Sequence, residues 1–298
     1  MKYALLISLL RLLALMPLPL SRWLGRCAGR LLWQVNPESR QVIELNLRLC
    51  FPEWSDQQRR QMARLRMQRL CEAAFEMGAV WLWRGHRIVE RIHTVDGWSL
   101  VEQAQSEGRG VIFLAPHIGN WEVIGLYLAT RVTNTNMYQP PDSPAMDALI
   151  RNSRVRMGGY LVPTSTVGVK ALLKALRVGN TVGVLPDQVP PRDAGGAFAP
   201  FFGHPALTMT LLPNLIKRTG ATVLTICAIG NRRGGWDLHI QSVPEAIGST
   251  DDAASLAAMN TAVEQCARQF PEFYQWEYKR FRKQPDGSNP YRQLKERE

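Results

Sequence analysis

The chain of 298 residues is 46% hydrophobic and 20% charged, which suits one large domain with a membrane attachment and excludes wholesale disorder. Its five cysteines (Cys27, Cys50, Cys71, Cys227, Cys266) are dispersed and include no CxxC pair, against a zinc ribbon or a secreted disulfide framework and in favour of a reducing compartment. The net charge of +11 calls for an anionic partner; residues 1–90 hold 14 Lys/Arg against 7 Asp/Glu beside the most apolar stretch, which points to a membrane surface before nucleic acid.

Tyr3 to Leu20 is almost wholly apolar, interrupted by Ser8 and Arg11, with Pro17 and Pro19 breaking a helix near its end. Tyr3–Met16 makes roughly 21 Å of helix against a hydrocarbon core about 30 Å thick. Trp23 and Trp33 suit interfacial anchors, and Arg22, Arg26 and Arg30 would hold the following chain on the cytoplasmic side. The expectation is a membrane-anchoring helix with a basic flank over residues 1–30 and an α/β domain over 31–298. Whether the helix spans or lies in the interface stays open. A cleaved signal peptide lacks a clean cleavage site; a buried amphipathic core helix is the other reading.

Gln57–Trp83 reads as a long helix with Arg59, Arg60, Arg64, Arg66 and Arg69 off its apolar face, for solvent, lipid headgroups or an acidic protein. From residue 91 the pattern alternates. Strands are expected at Arg91–Asp96, Val111–Ala115, Thr135–Tyr138, Thr181–Leu185, Thr222–Ile229 and Trp236–Ser242. Helices are expected at Trp98–Ser106, Gly119–Thr130, Ala145–Met157, Val167–Val178, Leu207–Thr219 and Ser255–Gln269. This is an α/β fold, a mixed sheet flanked by helices.

The sharpest motif is Ala115-Pro116-His117-Ile118-Gly119-Asn120-Trp121-Glu122. A buried strand stops at a proline, and a histidine stands at its carboxyl end, where open α/β sheets bind ligands. On a continuous helix His117 and Glu122 would lie roughly 140° apart, but Gly119 and Asn120 allow a turn that brings them together. A carboxylate on one imidazole nitrogen fixes the tautomer and leaves the other to take a proton from an alcohol. No serine or cysteine stands nearby, which favours direct attack by the acceptor. A purely structural hydrogen bond is the plain alternative. Asp187, just past the Thr181–Leu185 strand, would reach the same sheet edge or cap a turn. No metal site and no cofactor are expected, and the basic residues lack the aromatic platform of a nucleic-acid binder.

His117-x4-Glu122 resembles the His-x4-Asp/Glu motif of glycerolipid acyltransferases. The wider chain resembles the bacterial late acyltransferases of lipid A biosynthesis, the lauroyl and myristoyl transferases. The blocks that carry this are Asn120-Trp121-Glu122, Tyr138–Pro144 leading through Asp147 to Arg154 and Arg156, Leu185–Gln188, Pro200–Ala206 and Pro271–Trp276. The resemblance implies transfer of a fatty acyl chain, of lauroyl type, from acyl carrier protein. The acceptor would be a hydroxyl on a 3-hydroxyacyl chain of a lipid A precursor, at the cytoplasmic face of the inner membrane among its lipids. It assigns His117 as general base, Glu122 as its partner, and Asn120, Arg154, Arg156 and Asp187 to substrate binding. Phe201-Phe202-Gly203 suits core more than an acyl pocket, and His86, His93, His204 and His239 suit structural roles. The family pattern has a histidine where this chain has Tyr278, so no catalytic role is expected there. The rivals are an acyltransferase for another lysolipid or aminolipid, and a non-catalytic basic membrane-recruitment protein.

Overall fold

The computed structural model describes residues 2–191 and 195–294. Its centre is a seven-stranded sheet in the order β1-β9-β8-β2-β5-β3-β4. The strands are β1 (Ile92–Asp96), β2 (Val111–Leu114), β3 (Asn134–Tyr138), β4 (Tyr160–Pro163), β5 (Thr181–Val184), β8 (Thr222–Gly230) and β9 (Trp236–Ser242). All neighbours are parallel except β8 and β9, so the sheet is mixed as expected. A separate hairpin, β6 (Gly196–Phe201) and β7 (His204–Met209), takes the first three residues of the helix expected from Leu207.

Helices cover both faces, and the alternation of side chains along β2 shows why. Val111, Phe113 and Ala115 pack into one core with α4 (Asp56–Leu82), α6 (Trp98–Ser106) and α7 (Trp121–Leu128). Ile112 and Leu114 face the other core, with α9 (Thr166–Arg177), α10 (Leu211–Thr219) and α11 (Asp252–Gln269). A third cluster joins α3 (Pro37–Cys50), the hairpin and the C-terminal segment around Phe51, Phe201, Trp276 and Phe281. Phe201 and Phe202 are therefore core. Of the remaining helices, α5 (Gly85–Val89) is one short turn, and α8 (Pro144–Val155) carries Arg154.

The N-terminal segment differs from a membrane-spanning helix. Pro17 divides it into α1 (Lys2–Ala14) and α2 (Leu18–Val35). The 13 residues of α1 reach only about 20 Å. Among the described residues no helix is long and apolar enough to cross a membrane. Instead α1 packs on α4: Leu10 and Leu13 are buried, a side chain at Gly78 would strike them, and Trp83 Nε1–H donates to the Ala14 carbonyl at 2.7 Å. Leu5, Leu9, Leu12 and Leu15 face outward, as do Trp23 and Leu31 of α2. Residue 30, the expected domain boundary, falls inside α2, whose Gly25 and Gly29 lie against the α4 backbone.

The arginines of α4 divide. Arg66 grips Glu277 with two nitrogens at 2.8 and 2.7 Å, Arg69 pairs with Glu72 and Arg59 with Asp56. Arg60 and Arg64 remain exposed, Arg64 over the Trp33 ring.

Candidate active site

Strands β2 and β5 run parallel, with Leu114 opposite Val184. Three residues beyond each, after an x-Pro step that ends the strand, stand His117 and Asp187. Equal offsets on adjacent parallel strands put the two side chains at one edge and one height. Asp187 Oδ1 accepts from His117 Nδ1–H at 2.8 Å, and Oδ2 accepts the His117 backbone N–H at 2.9 Å. Burial alone would raise the Asp187 carboxyl; the imidazole and the bonds from His117 outweigh it and hold the carboxyl below its ordinary value.

The carboxylate beside His117 is thus Asp187, where the sequence reading places Glu122. The reason lies in the loop. Gly119 has φ +62°, and a side chain there would strike the Ala228 carbonyl. The Gly119 N–H donates to Phe273 O and the Asn120 N–H to Ala228 O at 2.9 Å. Pinned there, the chain enters α7 with Glu122 turned to α8. Arg154 Nε and Nη2 donate to its two oxygens at 2.9 and 2.5 Å, a bidentate pair on a carboxylate whose side chain is 5% exposed.

Of the other expected substrate-binding residues, Asn120 and Arg156 point elsewhere. Asn120 is buried and donates to Glu76 Oε2 at 2.7 Å. Glu76 Oε1 accepts from Arg22 Nε at 2.5 Å, and Oε2 also accepts from Trp236 Nε1. Asn120 therefore fastens the His117 loop to α4 and α2. Arg156 closes the end of α8 on α4, donating to the Val80 carbonyl at 2.6 Å and the Ser153 carbonyl at 2.8 Å. Arg154 keeps Nη1 without a hydrogen bond among the described residues.

His117 Nε2, on the far side of the ring from Asp187, accepts from Gln188 Nε2 at 3.2 Å; Gln188 also donates to Gln275 Oε1 at 3.1 Å. Tyr278 Oη accepts the Val189 N–H at 2.9 Å. Gln275 and Tyr278, given no role from sequence, thus brace the Asp187 loop. The signal that could have found Asp187 as partner is the paired ending of two buried strands, Leu-Ala-Pro-His and Val-Leu-Pro-Asp.

Beside His117 opens a cavity of about 270 Å³. Phe113, Ala115, Gly183, Val184, Asn136 and Met137 form its sheet wall, and Trp121, Ile124, Gly125 and Leu128 its α7 wall. His117, Glu122 and Arg154 also line it. No serine or cysteine is among the described lining residues. The arrangement offers a base with one fixed tautomer beside a mainly apolar slot.

The family model for bacterial lipid A biosynthesis acyltransferases matches residues 1–283. The chain is 30% identical over 284 residues to the lipid A biosynthesis lauroyltransferase of Escherichia coli (strain K12), covering 94% of this chain and 91% of that one. It is 28% identical to the palmitoleoyltransferase of the same organism (92% and 89% covered) and 27% identical to its myristoyltransferase (92% and 84%). The chain belongs to the bacterial lipid A biosynthesis acyltransferase family and is an acyltransferase.

Proposed function

We propose that this enzyme transfers a fatty acyl chain from acyl carrier protein to a hydroxyl of a 3-hydroxyacyl chain on a lipid A precursor. His117 is the general base. The observation that carries the reading is an imidazole with Nδ1–H on a buried carboxylate and Nε2 held only by the Gln188 side chain, beside an apolar cavity.

The acceptor hydroxyl replaces Gln188 at Nε2 and gives up its proton as its oxygen attacks the thioester carbonyl. Asp187 stabilises the imidazolium that forms. Collapse of the tetrahedral intermediate breaks the C–S bond, and the imidazolium protonates the departing thiolate. The products are the ester and the carrier thiol, and His117 is neutral again. Arg154 Nη1, held in place by Glu122, favours negative charge on the substrate at this mouth. The cavity takes the acyl chain.

The outward leucines of α1, with exposed Arg11 on the same helix and Arg30 on α2, support attachment to inner-membrane lipids from the cytoplasmic side, with the helix lying in the interface; Arg22 and Arg26 are instead paired with Glu76 and Glu72. The positive charge supports attraction to an acidic carrier protein and a phosphorylated acceptor.

The test is an assay with carrier-linked donors and the tetra-acylated, Kdo-bearing precursor. Transfer should fall about 10²- to 10⁴-fold in His117→Ala. Equal transfer by mutant and parent would refute the assignment. In a deletion strain, lipid A unchanged in its secondary acyl chains would refute the acceptor.

A further inference from the structure

We infer that Gly125 sets how long an acyl chain the enzyme accepts. The inference rests on the cavity being the acyl site, as proposed above. Gly125 sits inside α7, although glycine is the weakest helix former after proline. Its φ is not among the positive values, so the backbone does not require glycine. Nor does crowding: a Cβ built on it meets no heavy atom within 4 Å. Gly78 in α4 is different, since backbone atoms there stand 2.6 Å from any added Cβ.

What Gly125 leaves open is the cavity. Helical spacing puts Trp121, Gly125 and Leu128 on one face, and all three line it. The Trp121 ring lies 4.7 Å from the His117 ring, so the slot begins there. Gly125 is one turn farther, about 6 Å along the helix. On the opposite wall Gly183 offers no equivalent room, because the Asn136 amide oxygen fills the place of its side chain. Space for the chain beyond the first turn therefore lies on the helix side, where residue 125 has no side chain.

The cavity measures about 270 Å³. Leucine at position 125 would place four atoms across it. The longest chain accepted should then shorten by about four carbons.

The experiment uses the full-length enzyme in detergent, the tetra-acylated lipid A precursor, and carrier-linked donors from about eight to about sixteen carbons. Gly125→Leu should lower kcat/KM for the parent's best donor by at least about tenfold relative to a donor about four carbons shorter. Gly125→Ala, the milder variant should leucine disturb folding, should move that ratio the same way by less. Gly248→Leu, which also meets open space but on the exposed surface, should leave it unchanged. Transfer by the parent with an unchanged ratio in both Gly125 variants would overturn this inference alone. No transfer by the parent from any donor would overturn the acyl-transfer reading, and this one with it.

Discussion

Replacing Asp187 by asparagine separates the two carboxylates that could serve His117. The amide oxygen can still accept the Nδ1–H bond, but the charge is gone and the His117 backbone N–H loses its acceptor. Two unit charges about 4 Å apart interact by about 4 kcal/mol at an effective dielectric near 20. An Nδ1–Oδ1 distance of 2.8 Å places the imidazolium and carboxylate charges in that range. If half the imidazolium charge has developed in the transition state, about 2 kcal/mol is lost, or roughly 30-fold in rate; full development gives roughly 10³-fold. The assay is steady-state transfer to the lipid A precursor, with circular dichroism to verify the fold. Asp187→Asn should lower kcat by roughly 30- to 10³-fold and move acceptor KM little. A folded variant within about threefold of the parent would refute the assignment of Asp187 as the partner.

Other substitutions test the surrounding framework. Glu76→Gln leaves the buried Arg22 guanidinium without its counter-charge, and urea unfolding should show a loss of about 3–5 kcal/mol. Asn120→Ala should cost about 1–3 kcal/mol in the same measurement while acceptor KM stays within about twofold; a large KM rise would restore Asn120 to substrate binding. Arg154→Ala strands the Glu122 carboxylate and should destabilise by about 3–5 kcal/mol, with Arg154→Lys intermediate because it lacks the two-pronged grip. Leu5→Glu combined with Leu9→Glu on the outward face of α1 should cost about 3–6 kcal/mol of vesicle binding, at about 1.5–3 kcal/mol per leucine. Sedimentation with anionic vesicles measures it, and undiminished binding would place the anchor elsewhere.

Local patterning made much of the fold legible. Trp98–Ser106 shows as a helix because its apolar residues follow helical spacing, and Val111–Ala115 as a buried strand because it is apolar throughout. The start of the expected Leu207–Thr219 helix misled because Leu207–Met209 belongs to the second strand of a hairpin, which follows a turn with Phe202 at φ +49°. Tyr160–Pro163 is a short, partly exposed edge strand and carries little signal. In the site, His117 was legible from its strand exit. The carboxylate that bonds to it was not, because Asp187 is 70 residues away and meets it only through the β2–β5 register. Glu122 looked right by proximity in sequence, but the pinned Gly119 turn directs it to Arg154.

The link from Arg22 through Glu76 to Asn120 bears on how this enzyme can be handled. Cutting away the first 35 residues to obtain a detergent-free protein would remove the guanidinium that neutralises Glu76. The carboxylate left behind, buried and without its counter-charge, would destabilise the contact with Asn120 that holds the segment carrying His117. Inactivity of such a shortened protein would then reflect a damaged foundation, whatever the bilayer contributes. Exchanging the outward leucines for polar residues keeps that foundation and is the sounder route to a soluble catalyst.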